Sequence, residues 1–444
     1  MDPLDDLFAF LRFPSISADP QFKNDVETCA GWLARRLTQA GLETQTIPTP
    51  GHPVVVARNQ HRPGRTTVLI YGHYDVQPID PLGLWEAPPF DPVVKGDKVY
   101  ARGATDNKGQ ILAHILGVEK ALQQNADLPV NLVFVIEGEE EVGSVHLDKV
   151  LRDHHEALRA DIIAVSDTGM VAPGTPTFTY GLRGILCLEL RLQGPDADLH
   201  SGIFGGSVAN PATVLSRLIG ALHDPQGRIT ISGFYDDVQS LEEWERKLWA
   251  QLPAFTDDQW LRTTGVTQLA GEEGFSTLER IWARPTAEVN GLASGYQGDG
   301  PKTIIPSRAV AKLSFRLVPN QDPIKIREQA TDFFRKLCPG SVSLEILDQH
   351  QGRPYLVHPD SAYGQAAQKA LKRTFQKPVA FIREGGSIPI IQTFKDVLGA
   401  DTLLLGLALP DARVHSPNEN FPLANFYAGI RLNQHLLEEL ASAA

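Results

Sequence analysis

Residues 66–78 read TTVLIYGHYDVQP, and this stretch decides the fold. Its first part, Thr66–Tyr71, is a short, continuous apolar and β-branched run of the kind buried on both faces of a parallel sheet. The run ends in a glycine, and His73 and Asp75 follow at once. Two further runs share this character. Asn131–Ile136 (NLVFVI) leads into Glu139, Glu140 and Glu141, and Asp161–Val165 (DIIAV) leads into Asp167. Between the first two runs, Lys108–Gln123 reads as a helix. Gln21–Gly41 reads as another, with Val26, Cys29, Ala30, Leu33, Leu37 and Ala40 on one face and Gly41 as its stop. Strands alternating with helices predict an α/β layer built on a mostly parallel sheet.

The pattern changes near Gly181. Ile185–Leu192 (ILCLELRL) alternates as a half-buried strand does, and Thr303–Val318 continues in that style. Asn210–Leu222, with Pro211 in its first turn, Leu241–Leu252 and Pro323–Leu337 read as helices. This is an α+β pattern. After about Tyr355 the first style returns, with a helix over Ala362–Phe375, a strand over Thr402–Leu407 and a closing helix over Ala424–Ser442. The economical organisation is one α/β domain, residues 1–182 and 354–444, interrupted by an inserted α+β domain, residues 183–353. Three domains in a row would leave the last segment with a small core of its own. Four of the six tryptophans fall within Trp244–Trp282, where core packing is the expected role.

Composition narrows the function. The 444 residues carry a net charge of −12, which disfavours sequence-independent nucleic-acid binding. Cys29, Cys187 and Cys338 are scattered and odd in number, with no CxxC pair, so neither a disulfide framework nor a zinc finger is expected. The opening MDPLDDLFAFLRF is acidic where a signal peptide is basic, and no run approaches the ~18 apolar residues of a membrane span. A cytoplasmic protein without a membrane or nucleic-acid partner is the expectation.

The chemistry collects where the strands end. Open α/β sheets bind ligands at the carboxyl ends of their strands. Four ends deliver His73 and Asp75, Glu139–Glu141, Asp167 and, after TLLLGLALPDARV, His415. Asp106, in ARGATDNKGQ just before a helix, can reach the same rim. Each residue has a structural alternative: Asp106 can cap its helix, and the three glutamates can be a solvated patch. Jointly these alternatives weaken, because ends on one sheet edge lie close together. Mixed His and carboxylate donors suit zinc, cobalt or manganese better than calcium. The set is too rich for one cation and fits a pair sharing a carboxylate. Of the adjacent Glu140 and Glu141, one can ligate while the other, crowded by carboxylates, keeps a raised pKa and moves protons.

Eight motifs in order, GHYDVQP (72–78), GATDNKG (103–109), EGEEEVGS (137–144), SDTG (166–169), LHSGIFGG (199–206), KTIIP (302–306), REGGSIP (383–389) and HSPNE (415–419), resemble the co-catalytic zinc peptidase family. That family includes aminoacylases, carboxypeptidase G, succinyl-diaminopimelate desuccinylase and carnosinases. The chain is most similar to its cytosolic non-specific dipeptidase and carnosinase branch. The resemblance implies a zinc-peptidase-like α/β catalytic domain and an inserted lid and dimerisation domain. It implies two divalent metal ions, zinc first, with manganese or cobalt as alternatives. Asp106 becomes the bridging ligand, with His73 and Asp167 on one metal and Glu141 and His415 on the other. Aligning EGEEEVGS on both ends makes Glu140 the general base. Asp75 orients His73, and His200 stabilises the oxyanion. Thr303, Arg316, Gly386 and Ser387 match substrate contacts, and Glu384 a contact to the substrate amine. The resemblance also implies a cis Asp106–Asn107 bond and a homodimer in which His200 acts in trans. The implied reaction is hydrolysis of a small dipeptide. An N-acyl-amino-acid amidohydrolase or carboxypeptidase is the alternative, and Asp rather than Glu at position 167 tilts the reading to the dipeptidase. A catalytically dead binding protein would be expected to lack a ligand or the base, and none is missing.

Overall fold

The computed structural model describes residues 2–252, 255–386 and 388–443. The chain forms two compact units. One comprises Met1–Tyr180, Val357–Ile382 and Ile390–Ala444; the other comprises Gly181–Leu356 and Arg383–Pro389. The return of residues 383–389 to the second unit has no counterpart in the sequence reading.

In the first unit, four strands form a parallel core: β1 (Thr67–His73), β2 (Asn131–Glu137), β3 (Ile162–Val165) and β4 (Asp401–Leu404). Their order is β2-β1-β3-β4, and each of the three pairings is parallel. His73 stands opposite Glu137, and Val165 stands opposite both Tyr71 and Leu404, so the carboxyl ends line up. These four are consecutive neighbours in a larger mixed sheet. Val54–Arg58 runs antiparallel to β2, Glu43–Ile47 runs antiparallel to that strand, and Thr177–Leu182 is antiparallel to β4. The short link 48–53 permits a hairpin and is too short for a parallel crossover. The expected strand over 402–407 stops at Leu404. Gly406 lies against the Thr168 carbonyl, where a Cβ would come within 1.9 Å of that oxygen.

Three helices matter for the site. In α1 (Pro3–Leu11), Asp2 accepts the Leu4 N–H at 3.0 Å, a cap of about 1 kcal/mol. Asp5 and Asp6, which interrupt the apolar run, sit in the first turn, where negative charge is favoured. Asp6 is buried because Arg36 donates to it at 2.9 Å. Helix α2 (Lys108–Asn125) is buried on every side from Lys108 to Val118, as a helix packed between a sheet and another helix must be. It packs against β1 and against α3 (Leu423–Ala441). Gly109 lets its first turn press onto the preceding loop: a Cβ there would lie 2.0 Å from the Ala104 carbonyl. Among the described residues no helix is long and apolar enough to cross a membrane.

The second unit is built on an antiparallel sheet in the order Thr286–Ser294, Arg308–Leu317, Gly184–Gln193, Ser343–Gly352. Alternate residues Leu186, Leu188, Leu190 and Leu192, with Ala309, Ala311, Leu313 and Phe315, share one core with Leu215 and Leu218 of Pro211–Gly220 and with Ile326 and Phe334 of Pro323–Leu337. Each buried large side chain contributes roughly 1.5–3 kcal/mol. The run expected over 303–318 is split in two. Ile304–Ile305 pairs with Leu199–His200, and a separate strand starts at Arg308 after Pro306 breaks the ladder. Of the clustered tryptophans, Trp249 and Trp282 pack edge to face at 5.1 Å in the core, while Trp244 and Trp260 are half-buried.

Candidate metal centre

Strand β1 delivers His73 to the sheet rim with its ring fully buried. Its Nδ1 lies 3.1 Å from the Asp75 carbonyl and 3.3 Å from the Asp75 carboxylate. In the neutral ring Nδ1 therefore carries the hydrogen, and Nε2 presents its lone pair. That Nε2 lies 3.0 Å from Asp106 Oδ1 and 3.7 Å from Asp167 Oδ2, yet it is buried without an aligned hydrogen-bond partner. The Asp75 carboxylate also accepts the Glu140 and Glu141 N–H groups at 3.3 and 3.1 Å. One side chain thus orients the histidine and holds the turn that follows β2.

The other oxygen of Asp106 faces a second histidine. His415 Nε2 is 2.9 Å from Asp106 Oδ2 and 3.2 Å from Glu141 Oε2. His415 comes from a loop in which Arg413, His415 and Asn418 all have positive φ, a conformation non-glycine residues rarely adopt. Among the described residues, two groups of donor atoms close enough to hold one ion stand out: His73, Asp106 and Asp167, and Asp106, Glu141 and His415. Asp106 is common to both. Glu140, beside them in sequence, belongs to neither.

Asp106 precedes α2, and the Asp106–Asn107 peptide bond is cis, as the resemblance implies. Three side chains that the sequence reading did not single out fix this centre. Asn107 accepts the His73 N–H at 3.4 Å and donates to the Ser166 carbonyl at 2.7 Å and to Asp167 Oδ1 at 2.8 Å. Gln77 donates to Glu141 Oε2 at 2.8 Å. Glu419 accepts the Asp106 N–H at 3.0 Å. Each lies inside a recognised motif, TDNKG, GHYDVQP or HSPNE, which was the available signal.

The charges explain why these groups tolerate one another. Burial works to raise the Asp106 carboxyl, but its contacts with His415 and His73 outweigh that and hold it below the usual carboxylate range. Burial works to lower His73, and its contacts with Asp106 and Asp167 push it well above an ordinary imidazole. Contacts with Asp106 and Glu141 lift His415 to about 10. Burial raises Asp167 and Glu141, and the Asp106 charge adds to both. Glu140 is pushed well above the carboxylate range by burial and by the charges of Asp167, Asp106 and Glu141, against an opposing pull from His73. Divalent cations would supply the positive charge that this crowd of carboxylates calls for. The buried lone pair of His73 and the mixed imidazole and carboxylate donors fit zinc-like divalent ions.

The remaining expected residues lie in the second unit. His200, exposed on the Leu199–His200 ladder, accepts the Gly202 N–H at Nδ1. In the neutral ring Nε2 therefore carries the hydrogen and is a donor. Thr303 is exposed beside the same ladder, and its carbonyl accepts the Ser201 N–H at 3.0 Å. Arg316 is half-buried on its strand, opposite Ile185 and Thr286. Glu384 is half-buried and Gly386 exposed; Ser387 lies outside the described residues. Arg183, which the sequence reading passed over, anchors this strip. Its N–H donates to the Glu384 carbonyl at 3.3 Å and its Nε to the Gly385 carbonyl at 3.1 Å. Burial and the nearby Arg316 charge bring its guanidinium down to about 10.

Comparison with known proteins agrees with this chemistry. The family model described as peptidase family M20/M25/M40 matches residues 69–439. The Cys-Gly metallodipeptidase of Schizosaccharomyces pombe is 34% identical, over 98% of this chain and 94% of its own length. The human Beta-Ala-His dipeptidase is 33% identical, over 89% of this chain and 79% of its own. Among solved structures, the metallo-carboxypeptidase Sso-CP2 of Sulfolobus solfataricus superposes with a TM-score of 0.89 at 34% identity, covering 100% of both chains.

Proposed function

The chain belongs to peptidase family M20/M25/M40, and on that premise we propose that it is a metal-dependent dipeptidase. The observation that carries this reading is the divided geometry of Asp106. Its two oxygens face two separate histidine-carboxylate sets, while the carboxyl of Glu140 stays outside both. We assign His73, Asp106 and Asp167 to one divalent cation and Asp106, Glu141 and His415 to a second, with zinc preferred over manganese or cobalt. When bound, such cations supply Lewis acidity toward a carbonyl and acidify water.

The residues supply the rest. Glu140, with its raised proton affinity, takes a proton from the attacking water and returns it to the departing amine. Asp75 keeps His73 in the tautomer that presents Nε2. His200, as an Nε2 donor, stabilises the developing oxyanion. Arg316 and Ser387 hold a substrate carboxylate, with Thr303 and Gly386 beside them and Glu384 for the free amine. The planar, permanently charged guanidinium suits the carboxylate role. We assign residues 1–182 and 354–444 to the catalytic domain and 183–353 to a lid that pairs two subunits, so that each site receives His200 of the partner subunit. The scattered, unpaired cysteines support a reducing cytoplasmic setting.

Two relatives named for dipeptides, one for Cys-Gly and one for β-Ala-His, support the dipeptidase reading over the alternative of an N-acyl-amino-acid amidohydrolase or carboxypeptidase. The test is a panel of free dipeptides, including Cys-Gly and β-Ala-His, with their N-acetyl forms. The protein is stripped of metal and resupplied with zinc, manganese or cobalt. Turnover of free dipeptides with little on the acetylated forms is expected. Faster cleavage of the acetylated forms, or cleavage by stripped protein, would overturn the proposal.

A further inference from the structure

Four residues beyond His415, the carboxylate of Glu419 is fully buried. Four donors converge on it. Oε2 accepts from Arg102 Nη1 at 2.8 Å and from the Gly103 N–H at 3.0 Å. Oε1 accepts from the Thr105 N–H at 2.9 Å and the Asp106 N–H at 3.0 Å. The backbone of the same segment is tied as well. The Ala101 N–H donates to the Glu419 carbonyl at 3.2 Å, and the Asn420 N–H closes the His415 loop onto the Ala412 carbonyl at 2.9 Å. Arg102, equally buried, reaches on to the Pro78 carbonyl at 2.9 Å. One carboxylate thus joins the loop bearing His415 to the loop bearing Asp106, and through Arg102 to the loop that follows His73.

We propose that Glu419 is a positioning residue that presents Asp106 to the His415 half of the cation pair. The inference rests on the two-cation reading above. It is directional because the other half has its own support: Asn107 independently links His73, Ser166 and Asp167. The chemistry of the staple is also specific. All four groups that reach it are donors, so only two acceptor oxygens satisfy them. Glutamine has the same shape but turns an NH2 group toward two N–H donors, which frees one edge of the Asp106 loop. The bland alternative is that Glu419 only neutralises Arg102. That role would cost fold stability without distinguishing the two cation positions.

The experiment titrates chelator-treated protein with zinc alone and follows binding by calorimetry. Wild type should take up two equivalents. Glu419→Gln should keep one near wild-type affinity and weaken the other by roughly 10–100-fold, the usual cost of losing an outer hydrogen-bond partner. Glu419→Asp, which keeps the charge but shortens the reach, should show the same split to a smaller degree. It carries the test if Glu419→Gln fails to fold. Asp6→Asn, which breaks a buried ion pair elsewhere in this unit, should lower the melting temperature and leave both equivalents unchanged. A single equivalent in wild type would sink the two-cation reading and this inference with it. Two equivalents in wild type, with both retained or both weakened alike in the folded Glu419 variants, would overturn the Glu419 assignment alone.

Discussion

The two halves of the candidate centre use the same donor chemistry and are held by different means. His73 is the last residue of a central strand, its register set by β2 and β3, and its ring is wholly buried. His415 sits on a loop with three positive-φ residues, and its side chain is 53% exposed. A strand end is positioned by the ladder itself. A loop residue in a costly backbone conformation persists only where side-chain hydrogen bonds over-determine it, here through Glu419 and through Asn418, which accepts the Glu86 N–H and donates to the Leu84 carbonyl. The strand half is rigid by construction, and the loop half is rigid by staples.

The largest expected effect sharpens the line between holding cations and moving protons. Glu140→Gln should lower kcat by at least about 10²–10⁴, the span of a lost general base, while elemental analysis still finds the metal content of wild type. Glu141→Ala should lose metal from the loop half. If Glu140→Gln instead loses metal and Glu141→Ala retains it, the two assignments are exchanged.

The next effect separates the halves by stability. In metal-free protein, His73→Ala leaves Asp167 buried without its histidine partner and Asp106 with His415 alone, at a cost of about 3 kcal/mol in denaturant unfolding. His415→Ala, at an exposed position, should cost no more than about 1 kcal/mol. Equal losses would remove the distinction drawn above.

A smaller change is expected from Asn107→Ala. It should weaken the His73 and Asp167 position by about tenfold and spare the other, the reverse of Glu419→Gln. Zinc titration of the two variants side by side reads this directly, and identical profiles would contradict it.

A separate effect concerns acid. Behind the strand half, His114 Nε2 donates to Ser166 Oγ at 2.8 Å, and that hydroxyl donates to the Leu405 carbonyl. Nδ1 is buried without a partner, so protonating it would bury an unpaired charge; burial brings the imidazole down to about 3. The folded state therefore binds fewer protons than the unfolded state. The stabilisation is complete above pH ~6.5 and falls as pH drops from there toward about 3, by up to about 1.4 kcal/mol per pH unit. His114→Gln should flatten this part of the stability-pH curve relative to wild type. An unchanged slope would show that other groups govern it.

What the sequence made legible follows from what the sheet does. His73 and Asp167 were visible because an apolar run stops beside each of them. Glu140 and Glu141 could be ordered only by the residues flanking the run of three. His415 lies well beyond its strand, and its motif rather than its spacing identified it. Asn107, Gln77 and Glu419 were passed over because residues that hydrogen-bond to main chain and to ligands impose no periodicity. The parallel character was over-extended. Val54–Arg58 and Glu43–Ile47 are paired by a short link, which a search for buried runs does not register. Helix α1 was hidden because Asp5 and Asp6 read as interruptions, and only the packing of Arg36 shows how one of them is accommodated.

The position of β4 has a consequence for how the molecule is made. In the sheet β4 lies between β3 and Thr177–Leu182, yet in the chain it comes more than two hundred residues after either. On a ribosome, β1, β2 and β3 emerge early and wait with an open slot at their edge while the whole of the second unit is synthesised. The same late segment brings His415 and Glu419. The nascent chain therefore carries four of the five candidate cation ligands through most of its synthesis without the one that completes the pair. On the proposed cation assignment, hydrolytic competence would arrive with the final stretch of polypeptide, together with closure of the sheet.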